Sequence, residues 1–236
     1  MSEKNEYERE WLNLPKEVFL EQYYKEFYSD ITYSSFSLLI QNRMHKSLEF
    51  RYTEKDKFNV VAEFGANKGE HLEFIKHNWN EIHLSDLSGV ELDSDLQSKK
   101  IFCSKQNIET LSYKDLTFDR VLNTCLLHHV TDPEKAMLEI RRVLKVGGVA
   151  DIFISSDPGV FFRLARTIGP ALFARKLGLR KVKRLADARD HRNHVLSLLN
   201  LTRHVFRNDY VEERSFPINR LSWNFSLWHT FHIKKL

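Results

Sequence analysis

Four histidines are the residues of this sequence best suited to move protons. His128 and His129 stand side by side at the end of an apolar run. His191 and His194 lie in the polar stretch Arg189-Asp190-His191-Arg192-Asn193-His194. Imidazole titrates near neutrality, so a histidine within hydrogen-bond reach can take a proton from a hydroxyl as its oxygen attacks an electrophile. Arg189 and Arg192 bring guanidinium groups, which pair with carboxylate or phosphate. If this stretch opens a helix reaching about Val205, residues three apart share a face, and the two His and the two Arg would each meet there. The alternative is a polar network that only packs this segment onto its neighbours. His191 and His194 offer two ligands with no third at a recognisable spacing, so no metal site is expected.

A second stretch reads as a ligand-binding corner. Val60-Val61-Ala62-Glu63-Phe64-Gly65-Ala66-Asn67-Lys68-Gly69-Glu70-His71 opens with β-branched residues and turns through two glycines. Leu72, Phe74, Ile75 and Trp79 follow. The pattern predicts a buried strand, a tight turn and a helix. Gly65 leaves room for a ligand at the strand end, and the helix start would offer unpaired amide groups. Such a corner at the carboxyl end of a strand is where open α/β sheets bind nucleotides. A dinucleotide loop would read G-x-G-x-x-G, but Ala66 and Lys68 break that spacing. Glu63, two residues before Gly65, suits a ligand with a positive end.

The elements that follow fit the same plan. Glu81–Gly89 reads as a strand ending at Asp86, an acid placed to accept from ribose hydroxyls. Ile101–Cys103 reads as a third strand, with Asn107 and Ile108 in the loop beyond. Phe118–Val130 gives a fourth strand. Asp132 and Pro133 then cap a helix over Ala136–Leu144, which Gly147 and Gly148 stop, and Val149–Ile154 is a fifth strand. Two final strands are expected at Tyr210–Phe216 and Leu227–Ile233.

These motifs, in this order, resemble the class I S-adenosylmethionine-dependent methyltransferases over about residues 58–155. The resemblance implies a Rossmann-like, doubly wound seven-stranded α/β sheet closed by an antiparallel C-terminal strand. It implies S-adenosyl-L-methionine as cofactor, held by Glu63, Gly65, Ala66, Gly69, Asp86, Leu87, Asn107, Ile108 and Asn123. Asn107 stands where the family commonly has an acid for the adenine amino group, and its carbonyl oxygen can still accept. Val146 stands where the family usually has Pro.

Outside the core, residues 1–57 are expected to form a helical extension. Tyr23, Tyr24 and Tyr28 lie at helical spacing and are candidate lid residues over the acceptor, although such a stripe also suits a core. Residues 58–236 would be the methyltransferase domain, with a helical substrate-binding insert at about 157–207. The net charge is +4, yet Asp157–Arg207 holds 12 Arg or Lys against three Asp, a net of +9 that leaves −5 for the rest. A basic insert on an acidic body suggests an anionic partner.

No apolar run reaches the roughly 20 residues of a membrane span, and no secretory signal is visible. Cys103 and Cys125 sit in apolar runs and are expected as buried, reduced thiols of a cytoplasmic protein. The function expected is methyl transfer, most simply to oxygen, on a small or carbohydrate-like anionic acceptor such as those of bacterial surface-polysaccharide pathways. A nucleic-acid methyltransferase is the alternative. Against it, the insert has no recognisable nucleic-acid module, and Asn123-Thr124-Cys125-Leu126 replaces the Pro-Pro-aromatic motif of base-amine methylators. A non-catalytic cofactor-binding protein on the same fold is the third reading.

Overall fold

β-branched and aromatic runs separated by turn residues build seven strands. In the computed structural model, which describes residues 10–28, 35–92, 100–168, 174–175 and 178–236, these are β1 (Lys57–Phe64), β2 (Asn78–Asp86), β3 (Ile101–Lys105), β4 (Phe118–Asn123), β5 (Leu144–Ser155), β6 (Tyr210–Phe216) and β7 (Trp228–Lys234). They form one sheet in the order β3-β2-β1-β4-β5-β7-β6. The first five strands run parallel, and β7 joins β5 antiparallel with β6 outside it. This is the Rossmann-like α/β sheet expected, with its antiparallel closure.

Six helices flank the sheet among the described residues: α1 (Lys16–Tyr23), α2 (Ser35–Glu49), α3 (Pro133–Val143), α4 (Val160–Ile168), α5 (Arg180–Asp190) and α6 (Val195–Val205). Alternation along the strands decides which face each covers. Ala62, Phe64, Val121, Ile152 and Ile154 pack with Ala136, Met137 and Ile140 of α3 and with Val195, Leu198 and Leu199 of α6. On the other face, Phe153 and Trp228 meet Met44 and Leu48 of α2. Asp132 caps α3 as its spacing implied: its carboxylate accepts from the Lys135 amide at 3.0 Å, with Pro133 opening the helix.

Three local expectations are corrected. First, no α-helix follows Gly69. The chain makes a single 3-10 turn at Leu72–Phe74, and Ile75 is already extended. The apolar spacing that suggested a helix belongs to two elements, because Trp79 lies in β2 with Phe58 of β1 as its ladder partner. Second, α3 ends at Val143, and Gly147 (φ +79°) bends the start of β5 instead of stopping the helix. Third, both thiols are exposed: Cys103 lies on the edge strand β3, and Cys125 lies in the loop after β4. No helix among the described residues is long and apolar enough to cross a membrane.

Candidate functional site

The parallel strands deliver their carboxyl ends to one edge of the sheet. Two neighbouring clusters form there. The first is the corner after β1. Gly65 (φ +82°) and Ala66 both donate their amides to Ser85 O of β2, at 2.8 and 3.0 Å, which folds the loop back over the strand end. A Cβ on Gly65 would meet Leu126 at 2.9 Å, and one on Gly69 (φ +76°) would meet Leu92 at 2.6 Å. Gly65 therefore requires glycine for conformation and for space, whereas at Gly69 the positive φ is the constraint, since the Leu92 tip can move.

Asp86, at the end of β2, ties two loops together. Its Oδ1 accepts from the Ser88 amide at 3.0 Å and the Ser88 hydroxyl at 2.8 Å, and its Oδ2 accepts from the Asn67 amide at 3.3 Å. Leu87 beside it is exposed, and Ala66 is buried. Asn107 spends its side-chain oxygen on the Glu109 amide at 2.9 Å, capping a 3-10 turn, while Ile108 is buried behind it.

Beneath the loop lie two acceptors without partners. Glu63 is 1% exposed; Thr124 donates to its Oε1 at 2.9 Å, and Oε2 has no partner. Burial pushes its carboxyl up to about 7, against the pull of His71 and Thr124. Asn123 donates to Phe64 O at 3.1 Å, and its Oδ1 is likewise unpartnered. Buried acceptors are normally satisfied, so two orphans at adjacent strand ends mark a place for a donor-rich, positively charged ligand. An amino-acid ammonium meets that need, and the glycine loop gives its nucleoside a backbone to lie against. The residues present fit S-adenosylmethionine.

The second cluster lies beyond β4 and β5. The loop between α5 and α6 is laced onto the loop after β4: Arg192 N and Asn193 N donate to His128 O, and the Asn193 side chain donates to Leu127 O and Val130 O at 2.9 Å each. His128 is the pivot. Its Nδ1 donates to Asn193 O at 3.0 Å, and its Nε2 takes the Ser155 amide at 3.0 Å and meets the Ser155 hydroxyl at 2.9 Å. Burial pushes its pKa down to about 3, so the ring is neutral. With both nitrogens engaged, His128 positions the loops and has no nitrogen left for an acceptor.

His129 and His191 meet edge to face with ring centroids 4.9 Å apart. Each is backed by an acid: His129 Nδ1 lies 3.0 Å from Asp190 Oδ2, and His191 Nδ1 lies 2.9 Å from Asp157 Oδ2. Burial opposes ionisation of both acids, but His129 and Tyr24 at Asp190, and His191 and Arg166 at Asp157, outweigh it and hold both below the usual range. The helix that was to align His191 with His194 is absent. Residues 191–194 form the loop between α5 and α6, so His191 turns into the cluster while His194 is exposed. The two arginines part in the same way. Arg189 donates to Leu14 O at 3.0 Å and stacks over Phe19 at 4.8 Å, so it packs α5 on α1. Arg192 is exposed and donates to Thr131 Oγ1 at 3.1 Å.

The tyrosines differ as well. Tyr23 is buried against Phe19, whereas the Tyr24 hydroxyl donates to Asp190. The Tyr28 side chain lies outside the described residues. Sequence reasoning missed Asp157 and Asp190 as site residues. Their only signal was that each stands beside a loop already suspected. A small cleft lined by Ser47, Arg51, Glu212 and His232 lies against the middle of β5 and β7, away from both clusters.

Comparison with known proteins bears on the fold and the family. A family model described as a methyltransferase domain matches residues 62–152. No curated protein matches the chain. Among solved structures the chain is similar in fold to an S-adenosylmethionine-dependent methyltransferase of Thermotoga maritima (16% identity, 93% of this chain and 97% of that one, TM-score 0.55). It is also similar to the YcgJ protein of Bacillus subtilis (16%, 82% and 99%, 0.53) and to an S-adenosylmethionine-dependent methyltransferase of Mesorhizobium loti (14%, 80% and 96%, 0.52).

Proposed function

We infer that this chain, a class I S-adenosylmethionine-dependent methyltransferase, methylates a hydroxyl oxygen of a small, carbohydrate-like, anionic acceptor. One observation carries the reading. Two histidines, each backed by a carboxylate, face each other at the same sheet edge as the cofactor corner. A hydroxyl is a poor nucleophile until its proton is removed, and an oriented imidazole does this near neutral pH. A neutral amine attacks through a free lone pair and has less need of such a pair.

Glu63, Gly65, Asp86 and Asn123 would hold the cofactor, which supplies an electrophilic methyl group when bound. His129 and His191 receive the hydroxyl proton, and Asp190 and Asp157 stabilise the resulting charge. His128 keeps the loop after β4 in register with Ser155, so the acceptor stays aligned. Around the two imidazoles lie Tyr24, bonded to Asp190, and Arg192, bonded to Thr131, a polar set suited to a hydroxylated ligand. The exposed Arg192 guanidinium at the rim supports an acidic group on the acceptor.

The test is a screen of sugar nucleotides, sugar acids and short glycans with methyl-labelled cofactor. The expected product is a methyl ether. Label on nitrogen, on carbon or only in RNA would overturn the reading. Arg192→Ala is expected to raise the acceptor KM roughly tenfold without changing cofactor affinity.

A further inference from the structure

We propose that His129, Asp190 and His191 form a divalent-cation site at the point where the acceptor hydroxyl docks. The proposal rests on the acceptor reading above and deepens it. One ligand atom from each residue lies within 4.8 Å of the others. Two donors about 2.1 Å from one tetrahedral metal stand about 3.4 Å apart, so the three need only small rotamer shifts to share an ion.

Three features distinguish the cluster from an ordinary ion pair. First, His129 Nδ1 is 3.0 Å from Asp190 Oδ2, yet this buried nitrogen makes no hydrogen bond. The ring does not aim its N–H at the carboxylate. Nδ1 and Oδ2 stand side by side with no ring proton between them, although Oδ2 also accepts from the Tyr24 hydroxyl, and such a pair is arranged as co-ligands. Second, Asp157 takes His191 Nδ1 at 2.9 Å, which leaves Nε2 as the electron-pair donor. A carboxylate behind a ligating imidazole fixes its tautomer and raises its basicity. Third, the Tyr24 hydroxyl donates to Asp190 and fixes that carboxylate in turn.

Two imidazoles and one carboxylate suit Zn²⁺, Mn²⁺, Fe²⁺ or Co²⁺ better than Ca²⁺ or Mg²⁺. Three protein ligands leave a position open, as catalytic sites do. With the ion bound, His129 and His191 serve as its ligands in place of proton acceptors, and a hydroxyl on the ion loses its proton to solvent water at lower pH than a free one. The oxygen lone pair then forms the O–CH₃ bond and the S–CH₃ bond breaks. Its electron pair stays on sulfur, and the sulfonium becomes a neutral thioether. No oxidant or reductant enters the balance.

The experiment uses the full chain stripped with chelator and titrated with Mn²⁺ and then Zn²⁺. Calorimetry follows both, and the paramagnetic resonance signal follows free Mn²⁺. One equivalent is expected to bind, with a rise in melting temperature. Asp190→Asn and His191→Gln should each weaken binding at least tenfold, and Asp157→Asn by about tenfold as a residue behind the ligand shell. Cofactor affinity, measured on the same samples, should stay at wild type and shows that each variant is folded. Wild-type protein that binds cofactor but neither cation would overturn the proposal, as would equal Mn²⁺ binding by wild type and the His129→Gln, His191→Gln double variant. Methyl-ether formation by chelator-treated enzyme at the full rate would overturn the cation site and leave the acceptor reading standing. Stoichiometric cation binding without transfer to oxygen would do the reverse.

Discussion

Tyr24 donates its hydroxyl to Asp190 across 166 residues of chain. This bond joins the N-terminal helical segment to the end of α5, next to His191. Tyr24→Phe removes the donor and keeps the ring. A hydrogen bond to a charged group contributes about 1.5–3 kcal/mol. The expected result is a fall in kcat/KM of roughly tenfold or more, with cofactor affinity unchanged. Equal kinetics for variant and wild type would show that the bond is only a surface contact.

Asp86 accepts from three donors in the loops after β1 and β2. It therefore shapes the corner, and the sequence motif makes it the expected partner of a ribose. Asp86→Ala is expected to weaken S-adenosylmethionine binding by about 1.5–3 kcal/mol, the scale for bonds to a charged group. Titration calorimetry measures this directly. Affinity at wild-type level would place the ribose elsewhere.

Glu63 sets a pH dependence. Its folded pKa, about 7, lies above the ordinary 4.5 because of burial. Its unionised form favours the folded state below pH 4.5, and that stability is lost as pH rises through 7. A cationic ligand reverses the preference and draws the proton off. Cofactor affinity should therefore climb as pH rises toward 7 and level off above it. Calorimetry at pH 6 in two buffers of different ionisation enthalpy should detect proton release on binding. Glu63→Gln should bind more weakly and lose both effects.

Arg120 is fully buried between two acids, 2.6 Å from Glu49 of α2 and 2.8 Å from Asp151 of β5, and stacks over Tyr52 at 3.9 Å. Replacing it with Met leaves two carboxylates buried without their cation. Breaking such a network costs about 3–5 kcal/mol. The melting temperature should fall by roughly 10 °C in a chain of this size. The deficit should shrink on acidification, because protonated Glu49 and Asp151 need no counter-charge. A deficit independent of pH would mean that lost packing, not charge, is the cause.

The strand edge was more legible in the sequence than the acceptor site, and the reason is physical. Gly65, Asp86 and the Asp132-Pro133 cap act through backbone geometry within a few residues, so local spacing reveals them. Asp190 and His129 are 61 residues apart, and Asp157 and His191 are 34 apart. Only the docking of the end of α5 and the loop after it onto the loops after β4 and β5 makes them neighbours. His128 shows the same limit from the other side. Its side chain looked catalytic by position, but Ser155 and Asn193, from two other elements, engage both nitrogens. The false helix after Gly69 arose because helical spacing and the start of a strand share apolar residues over a short window.

That short turn has a consequence for anyone trimming the gene. With only Leu72–Phe74 between β1 and β2, the nearby sheet face depends on α2 for its roof, and His71 of the turn is anchored 3.0 Å from Glu49. A clone started at residue 58 would look like a tidy catalytic core. It would uncover Phe153 and Trp228, strip the Arg120 guanidinium of one of its two carboxylates and loosen the loop that shapes the cofactor corner. The practical boundary for expression lies before α1, upstream of Trp11, which packs with Phe19 against Val182 and Ala186 of α5.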